Sequence, residues 1–440
     1  MKSPILAKSP ACAGISVGIL AMLAAILTLT GISLAQTEDV RYSFTGGNDG
    51  DGPQSSLILD SAGNLYGTTT FGGPTNTRYC GGNGCGVVFE LSPNASGWTY
   101  TVLYAFTGGV DGGEPYGSLT LDSTGNLYGT TSLGGKSAYC SNGCGVVFEL
   151  ARNGSDGWTE TILHTFHQLD GAVPQAGVIF DNSGNLYGTT YFGGTLGNGV
   201  VFKLSPDGAG GWKESVLHMF TLGADGGWPN SLIMDASGNL YGTTYYGGYN
   251  LGRCTSYGCG VVFRLVSTTA GWKERVLYTF RGLGDGGNPS GLAVDALGNL
   301  YGTTLNGGDR HCNTYGCGTA FKLIHSTSGW TRSLLHAFAG GSDGAFTSAG
   351  PTLDSRGNIF GATENGGTAG TGVLFELSFS GGVWDETILH TFTNGTDGGY
   401  PFSGVVLDGS GNIFGQTNSG GIPGDCSAVA GCGVVYEVTP

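Results

Sequence analysis

Gly63-Asn64-Leu65-Tyr66-Gly67-Thr68-Thr69 decides how this chain is read, because the same phrase stands in it seven times with small changes. The Asn falls at Asn64, Asn126, Asn185, Asn239, Asn299, Asn358 and Asn412, so the spacing runs from 54 to 62 residues. Self-similarity at such a period over most of a chain means one supersecondary unit repeated.

Working outward from the copy at Asn126, Ser118–Asp122 alternates like a short strand, A. Asp122 to Asn126 reads as a tight turn, since Gly and Asn tolerate positive φ and Asp accepts backbone N–H groups. Leu127–Ser132 is strand B, and Gly145–Leu150 is strand C. Thr159–Phe166 is strand D, led in by Gly157-Trp158. Four antiparallel strands per period describe a propeller blade. Apolar side chains on both alternating sets of strand D fit a blade stacked between two others. The 87 Gly follow no triplet period, which excludes collagen, and no stretch has helical periodicity. The chain is expected to be all-β.

Strands A and C have seven copies, but strand D has six with the Gly-Trp or Val-Trp lead-in. Val40–Phe44 matches Val102–Phe106 and supplies the seventh. The ring of seven blades therefore closes by pairing residues 40–44 with 434–438, which leaves no open sheet edge. An open β-solenoid would need a shorter period and would leave the permuted ends unexplained.

Residues 1–35 stand apart from the repeats. Lys2 and Lys8 precede an apolar run over residues 11–32, and Ser33-Leu34-Ala35 offers a small-residue cleavage site. This is the pattern of a secretory signal peptide, with an uncleaved membrane anchor as its alternative. Residues 36–440 form the expected single domain. They carry fifteen basic residues against thirty-two acidic ones, a net −17, which argues against nucleic acid and anionic lipid as partners. A secreted or periplasmic monomer is expected, free of the membrane once the segment is cleaved.

Ten Cys remain there as the local pairs Cys80/Cys85, Cys140/Cys144, Cys254/Cys259, Cys312/Cys317 and Cys426/Cys432, all between strands B and C. The third and sixth repeats lack both Cys and have the shorter loops Thr195–Gly199 and Thr368–Gly372. Length and Cys pair arrive together, as disulfide staples in an exported protein should. A four-Cys zinc site would need two pairs brought together from separate blades.

The D–A and B–C loops emerge on one face of the disc. That face collects Asp49, Asp111, Asp170, Asp225, Asp285, Asp343 and Asp397. It also collects Tyr191, Phe192, Trp228, Tyr245 and Tyr246, with Tyr79, Tyr116, Tyr139, Tyr249, Tyr257, Tyr315, Tyr400 and Phe402. Aromatic rings and carboxylates on loops suit carbohydrate or peptide binding. The plainer alternative for each Asp is a bond to its own loop. No cofactor is expected. Ca²⁺ is the nearest candidate, at Asp49-Gly-Asp51-Gly, but the other copies offer one carboxylate each where Ca²⁺ takes six to eight oxygens. His164, His218, His336 and His390 interchange with Tyr42, Tyr104 and Tyr278 in strand D, which reads as packing, and His167, His311 and His325 as loop singletons. Glu364 and Asn365 break the repeat after strand B of the sixth copy, so Glu364 is the one candidate catalytic residue, without a visible acid/base partner.

The ordered signatures D-x-x-G-N-L-Y-G-T-T, G-C-G-V-V-F-E-L and G-W-x-E-x-x-L-H-x-F resemble the GloVer-type tandem repeat family of exported bacterial proteins, over residues 40–440. That resemblance implies a repeat propeller largely without assigned activity. The first signature also looks like the blade motif of NHL-repeat and gluconolactonase-like propellers. The latter hold a channel metal on carboxylates that have no counterpart here. The sequence thus points to a secreted binding or interaction module for a glycan or protein. The alternative is a polysaccharide lyase, hydrolase or lactonase-like enzyme centred on Glu364.

Overall fold

The repeated Asp-x-x-Gly-Asn phrase builds its own turn. Asp60 Oδ1 accepts the amides of Ala62 and Asn64 at 2.8 and 2.9 Å, and Oδ2 accepts Asn64 Nδ2 at 2.8 Å and the Tyr66 hydroxyl at 3.2 Å. Gly63 lies at φ 87°, a conformation that strains any residue with a Cβ. Although burial alone would raise the pKa of Asp60, these bonds outweigh it and hold the carboxyl below its usual value.

The Gly of Leu-Tyr-Gly-Thr-Thr makes room for the next strand. A Cβ on Gly67 would lie 2.6 Å from the Phe89 ring of strand C, and the same holds for Gly129 under Phe148. Each strand C ring in turn receives the last aromatic of strand D from the preceding blade. Phe44 meets Phe89, Phe106 meets Phe148 and Phe166 meets Phe202, with centroids 5.1–5.3 Å apart and planes steeply inclined. Four more such pairs follow round the ring, ending with Phe392 on Tyr436 at 5.0 Å. Edge-to-face contact is the favoured geometry for such pairs.

The computed structural model describes residues 37–440, apart from 75–79, 155–156, 249–253, 255, 328, 425, 427–429 and 440. Among them, twenty-eight strands form seven four-stranded antiparallel sheets, a seven-bladed propeller. In blade 2 the strands from the axis outward are A (Thr120–Leu121), B (Leu127–Thr131), C (Val146–Asn153) and D (Gly157–Thr165). Strand A pairs over two residues in five blades. In blades 4 and 5 it runs through Gly227–Met234 and Gly287–Val294, with a register shift in each.

The apolar core lies between blades. One cluster joins Tyr66, Val88 and Phe106 of blade 1 to Leu119, Leu127 and Phe148 of blade 2. Strand B of blade 2 is buried along its whole length, whereas strand D is only partly covered. Two-sided burial therefore belongs to strand B and the first half of strand C, not to the outer strand. His325 lies in a strand, not a loop, with its ring 4.8 Å from Trp330.

The ring closes as the permuted ends require. Thr37–Ser43 pairs antiparallel with Val434–Thr439, from Thr37 opposite Thr439 to Ser43 opposite Val434. The closing strand thus begins three residues earlier than its match to Val102–Phe106 suggests. Phe44 is fully buried at the seam. Five disulfides staple the B–C loops: Cys80–Cys85, Cys140–Cys144, Cys254–Cys259, Cys312–Cys317 and Cys426–Cys432. No helix among the described residues is long and apolar enough to cross a membrane.

Removing residues 37–44 should leave strand Val434–Thr439 with an open edge and empty the Phe44 site. Loss of a buried Phe side chain alone costs about 3–5 kcal/mol. The expected outcome is a markedly lower melting temperature with self-association on gel filtration. An unchanged melting temperature would contradict closure by this strand.

Candidate functional site

The seven loop aspartates turn outward, each to the end of strand D in its own blade. Their carboxylates accept a backbone amide at the loop entry, from Thr45, Thr107, His167, Thr221, Arg281, Ala339 and Thr393, at 2.5–2.9 Å. They also face the strand D side chain that alternates between Tyr and His. The Tyr42 hydroxyl donates to Asp49 at 2.8 Å, His164 Nε2 lies 3.0 Å from Asp170, and Tyr278 donates to Asp285. His218 Nε2 lies 3.4 Å from Asp225, His336 Nε2 3.0 Å from Asp343, and His390 Nε2 3.3 Å from Asp397. Tyr and His interchange there because both can donate to this carboxylate, so the position is more than packing.

Strand D of the next blade completes each contact. Glu160 stands beside Asp111, Glu214 beside His164 and Asp170, and Glu38 beside Asp397. Burial first, then the neighbouring carboxylate, pushes Glu38 and Glu160 up to about 7. Glu214 rises to about 7 by burial, with His164 opposing. The aspartates are therefore occupied at the outer rim and separate from the aromatic residues.

The mouth of the ring is built from a tripeptide that precedes strand A in five blades and lies within its start in blades 4 and 5. Its first residue is left-handed in every copy: Gly52, Glu114, Val173, Trp228, Asn288, Phe346 and Tyr400, with φ between 54° and 64°. A left-handed residue other than Gly costs on the order of 1–3 kcal/mol, and a β-branched one such as Val173 is a clear outlier. The backbone is pinned there because each amide donates to the carbonyl just before strand C of the preceding blade, as Glu114 does to Cys85 and Trp228 to Asn198, both at 2.8 Å. The third residue of each tripeptide lines an axial cavity of about 190 Å³: Gln54, Tyr116, Gln175, Asn230, Ser290, Ser348 and Phe402. The described lining of this cavity carries no charged residue.

Beside this mouth, blades 3 and 4 form an aromatic ledge. The Trp228 ring is 5.0 Å from Tyr191, 5.4 Å from Phe192 and 4.6 Å from Tyr246, and Tyr245 adjoins Tyr246 at 4.8 Å. Tyr257 extends it, 5.5 Å from Tyr246. Phe192 and Tyr257 are 38% and 53% exposed. On blade 6 stands Glu364, whose amide donates to the Phe346 carbonyl and whose carboxylate is reached by the Ser348 hydroxyl. Burial pushes Glu364 up to about 7, and its charge is felt at Tyr245. The structure thus brings together Tyr191, Phe192, Trp228, Tyr245 and Tyr246, places Tyr116 and Phe402 in the cavity and Tyr400 on the left-handed ring, and leaves Tyr139 and Tyr315 exposed. Tyr79 and Tyr249 lie outside the described residues. The left-handed ring is the feature that sequence reasoning missed. Its signal is a slot whose occupant varies and that precedes Pro in six of the seven copies: Gly52-Pro53, Glu114-Pro115, Val173-Pro174, Trp228-Pro229, Asn288-Pro289 and Tyr400-Pro401.

Residues 137–314 match the model of the Gloeobacter/Verrucomicrobia repeat family. This stretch, less than half of the chain, is similar to that family. The flanking copies carry the same ordered signatures. No curated protein matches the chain. Among solved structures it resembles the extracellular domain of the hybrid two-component system BT3049 of B. thetaiotaomicron, with TM-score 0.51 and 13% identity over 92% of this chain and 41% of that one. It also resembles PorZ, a surface component of the type-IX secretion system of Porphyromonas gingivalis, with TM-score 0.50 and 15% identity over 91% of this chain and 47% of that one. The chain spans less than half the length of both. At these identities the likeness concerns the fold alone.

The rim carboxylates make a pH prediction. Glu38, Glu160 and Glu214 keep their protons in the fold to about pH 7, whereas the unfolded chain releases them near the ordinary value of 4.5. Their contribution to stability is full below 4.5 and is lost as pH rises through 7. His390, lowered by burial, opposes this over part of the window. The melting temperature should be lower at pH 8.5 than at pH 5.5, and Glu160→Gln should flatten the dependence. A melting temperature that rises over this interval would contradict the assignment.

Proposed function

We propose that this chain is an exported glycan-binding propeller whose ligand docks at the mouth, across the ledge of blades 3 and 4. The observation that carries this reading is the contiguous ring cluster around Trp228, held by a strained backbone at the rim of a polar cavity. Flat rings cover the apolar face of a sugar, while amide groups such as those of Gln175 and Asn230 and the Glu364 carboxyl suit its hydroxyls. Strain of this kind clusters where a site must be held in one shape. The basic and apolar segment over residues 1–35, read as a signal peptide, and the five disulfides support export. Two of the propellers that share the fold are described as an extracellular domain and a bacterial surface component, which agrees with that location.

One observation favours a second reading. Glu364, at about 7, could serve as a general acid near neutral pH in a lyase, hydrolase or lactonase. Release of products from a bound glycan, abolished by Glu364→Gln, would select it.

The test is a glycan array followed by calorimetry on the best binder. Binding should be saturable, and Trp228→Ala or Tyr245→Ala should weaken it at least tenfold, about 1.4 kcal/mol. Absence of glycan binding, or equal binding by both variants, would overturn the reading.

A further inference from the structure

The contact at the outer edge between blades 5 and 6 differs in its charge balance from its counterpart one blade earlier. At the earlier contact Asp285 faces Arg332, with Nη1 3.8 Å from Oδ1, so a guanidinium stands beside the carboxylate. Between blades 5 and 6 the residue equivalent to Arg332 is Glu386, and it faces Asp343 and His336. Two carboxylates and an imidazole meet where the neighbouring contact holds a permanent cation.

Their ligand atoms converge. His336 Nε2 lies 3.0 Å from Asp343 Oδ1 and 3.8 Å from Glu386 Oε1, and ligand atoms of all three residues lie within 4.8 Å of one another. The same ring nitrogen faces both carboxylates. Asp343 Oδ2 accepts the Ala339 amide at 2.5 Å, which leaves Oδ1 directed at the cluster. The Glu386 side chain is only 11% exposed and its carboxyl shares a hydrogen bond with Asp343; its Oε1 is buried, as is the matching oxygen of Glu38, Glu160, Glu214 and Glu274. The His336 ring is fixed edge-on against Phe338 at 4.8 Å. Tetrahedral bonds of about 2.1 Å put ligand atoms about 3.4 Å apart, and the observed 3.0 and 3.8 Å straddle that separation. An imidazole with two carboxylates suits a first-row divalent transition metal better than Ca²⁺, which takes six to eight oxygens.

We propose that His336, Asp343 and Glu386 bind one divalent transition-metal ion, of which Zn²⁺ is the probe, as a staple between blades 5 and 6. The ion sits on Nε2 and one oxygen from each carboxylate, with water at its open position. His164/Asp170/Glu214, His218/Asp225/Glu274 and His390/Asp397/Glu38 repeat the residue types at other contacts. Among the described residues, the convergence of all three ligand atoms occurs at His336 and not at these sets.

The test is Zn²⁺ titration of the chelator-treated protein at pH 7.5, read by calorimetry, by metal analysis after gel filtration, and by melting temperature. One equivalent should bind at micromolar or tighter Kd and raise the melting temperature. Glu386→Gln and His336→Tyr should each weaken that site at least tenfold, and His218→Tyr should leave it intact. Tyr is the residue already used at this strand D position in Tyr42, Tyr104 and Tyr278, so His336→Tyr is compatible with the fold. Failure of the parent protein to bind Zn²⁺ would overturn the proposal. So would binding that survives both site variants, or that is lost in His218→Tyr.

Discussion

Everything in this molecule depends on one aromatic contact made seven times. The last ring of strand D reaches over the blade boundary and lands edge-on against the strand C ring of the next blade, as Phe106 does on Phe148. That second ring can lie flat in its own blade only because strand B offers a Gly beneath it. Ring, ring and Gly therefore form one unit, and two of the repeat's signatures are its two halves. No blade completes this unit alone, so the blades are stable as a closed ring and the N-terminal strand has to return to the last blade.

With the frame set by those contacts, the loops divide into two zones. At the outer rim each Asp serves its own loop, its own strand D and the next blade's strand D. The rim loops hold Gln168, Leu222, Leu283 and Asn394 left-handed, and the same conformation recurs around the axis. Six residues other than Gly are held left-handed there, and their side chains change from copy to copy. A scaffold that repeats and a mouth that does not is what a binding surface on a propeller requires.

Much of the frame was legible in the sequence, because its signals are local and recur. The Asp-x-x-Gly-Asn turn, the paired Cys and the match of Val40–Phe44 to strand D gave the blade count, the staples and the closure. The outer contacts were harder to see. The Tyr/His interchange at strand D is explained by an acceptor several residues later, Asp170 for His164, and by Glu214 on another blade. The left-handed ring was hidden because its strain is imposed by a carbonyl from the preceding blade, such as Cys85 for Glu114. Residue identity at Glu114 or Val173 gives no hint of that conformation. The aromatic ledge lay between. Its members were visible as loop aromatics, but only packing separates Trp228 and Tyr246 from Tyr139 and Tyr315.

The central claim is that the variable mouth, and not the opposite face of Asp-x-x-Gly-Asn turns, meets the ligand. Hydrogen–deuterium exchange with and without a bound oligosaccharide tests it most directly. The account predicts slower exchange at Tyr191–Phe192, Trp228–Asn230 and Tyr245–Tyr246, with the turns at Asp181–Asn185 and Asp235–Asn239 unchanged. Protection confined to those turns, with none at the mouth, would contradict it.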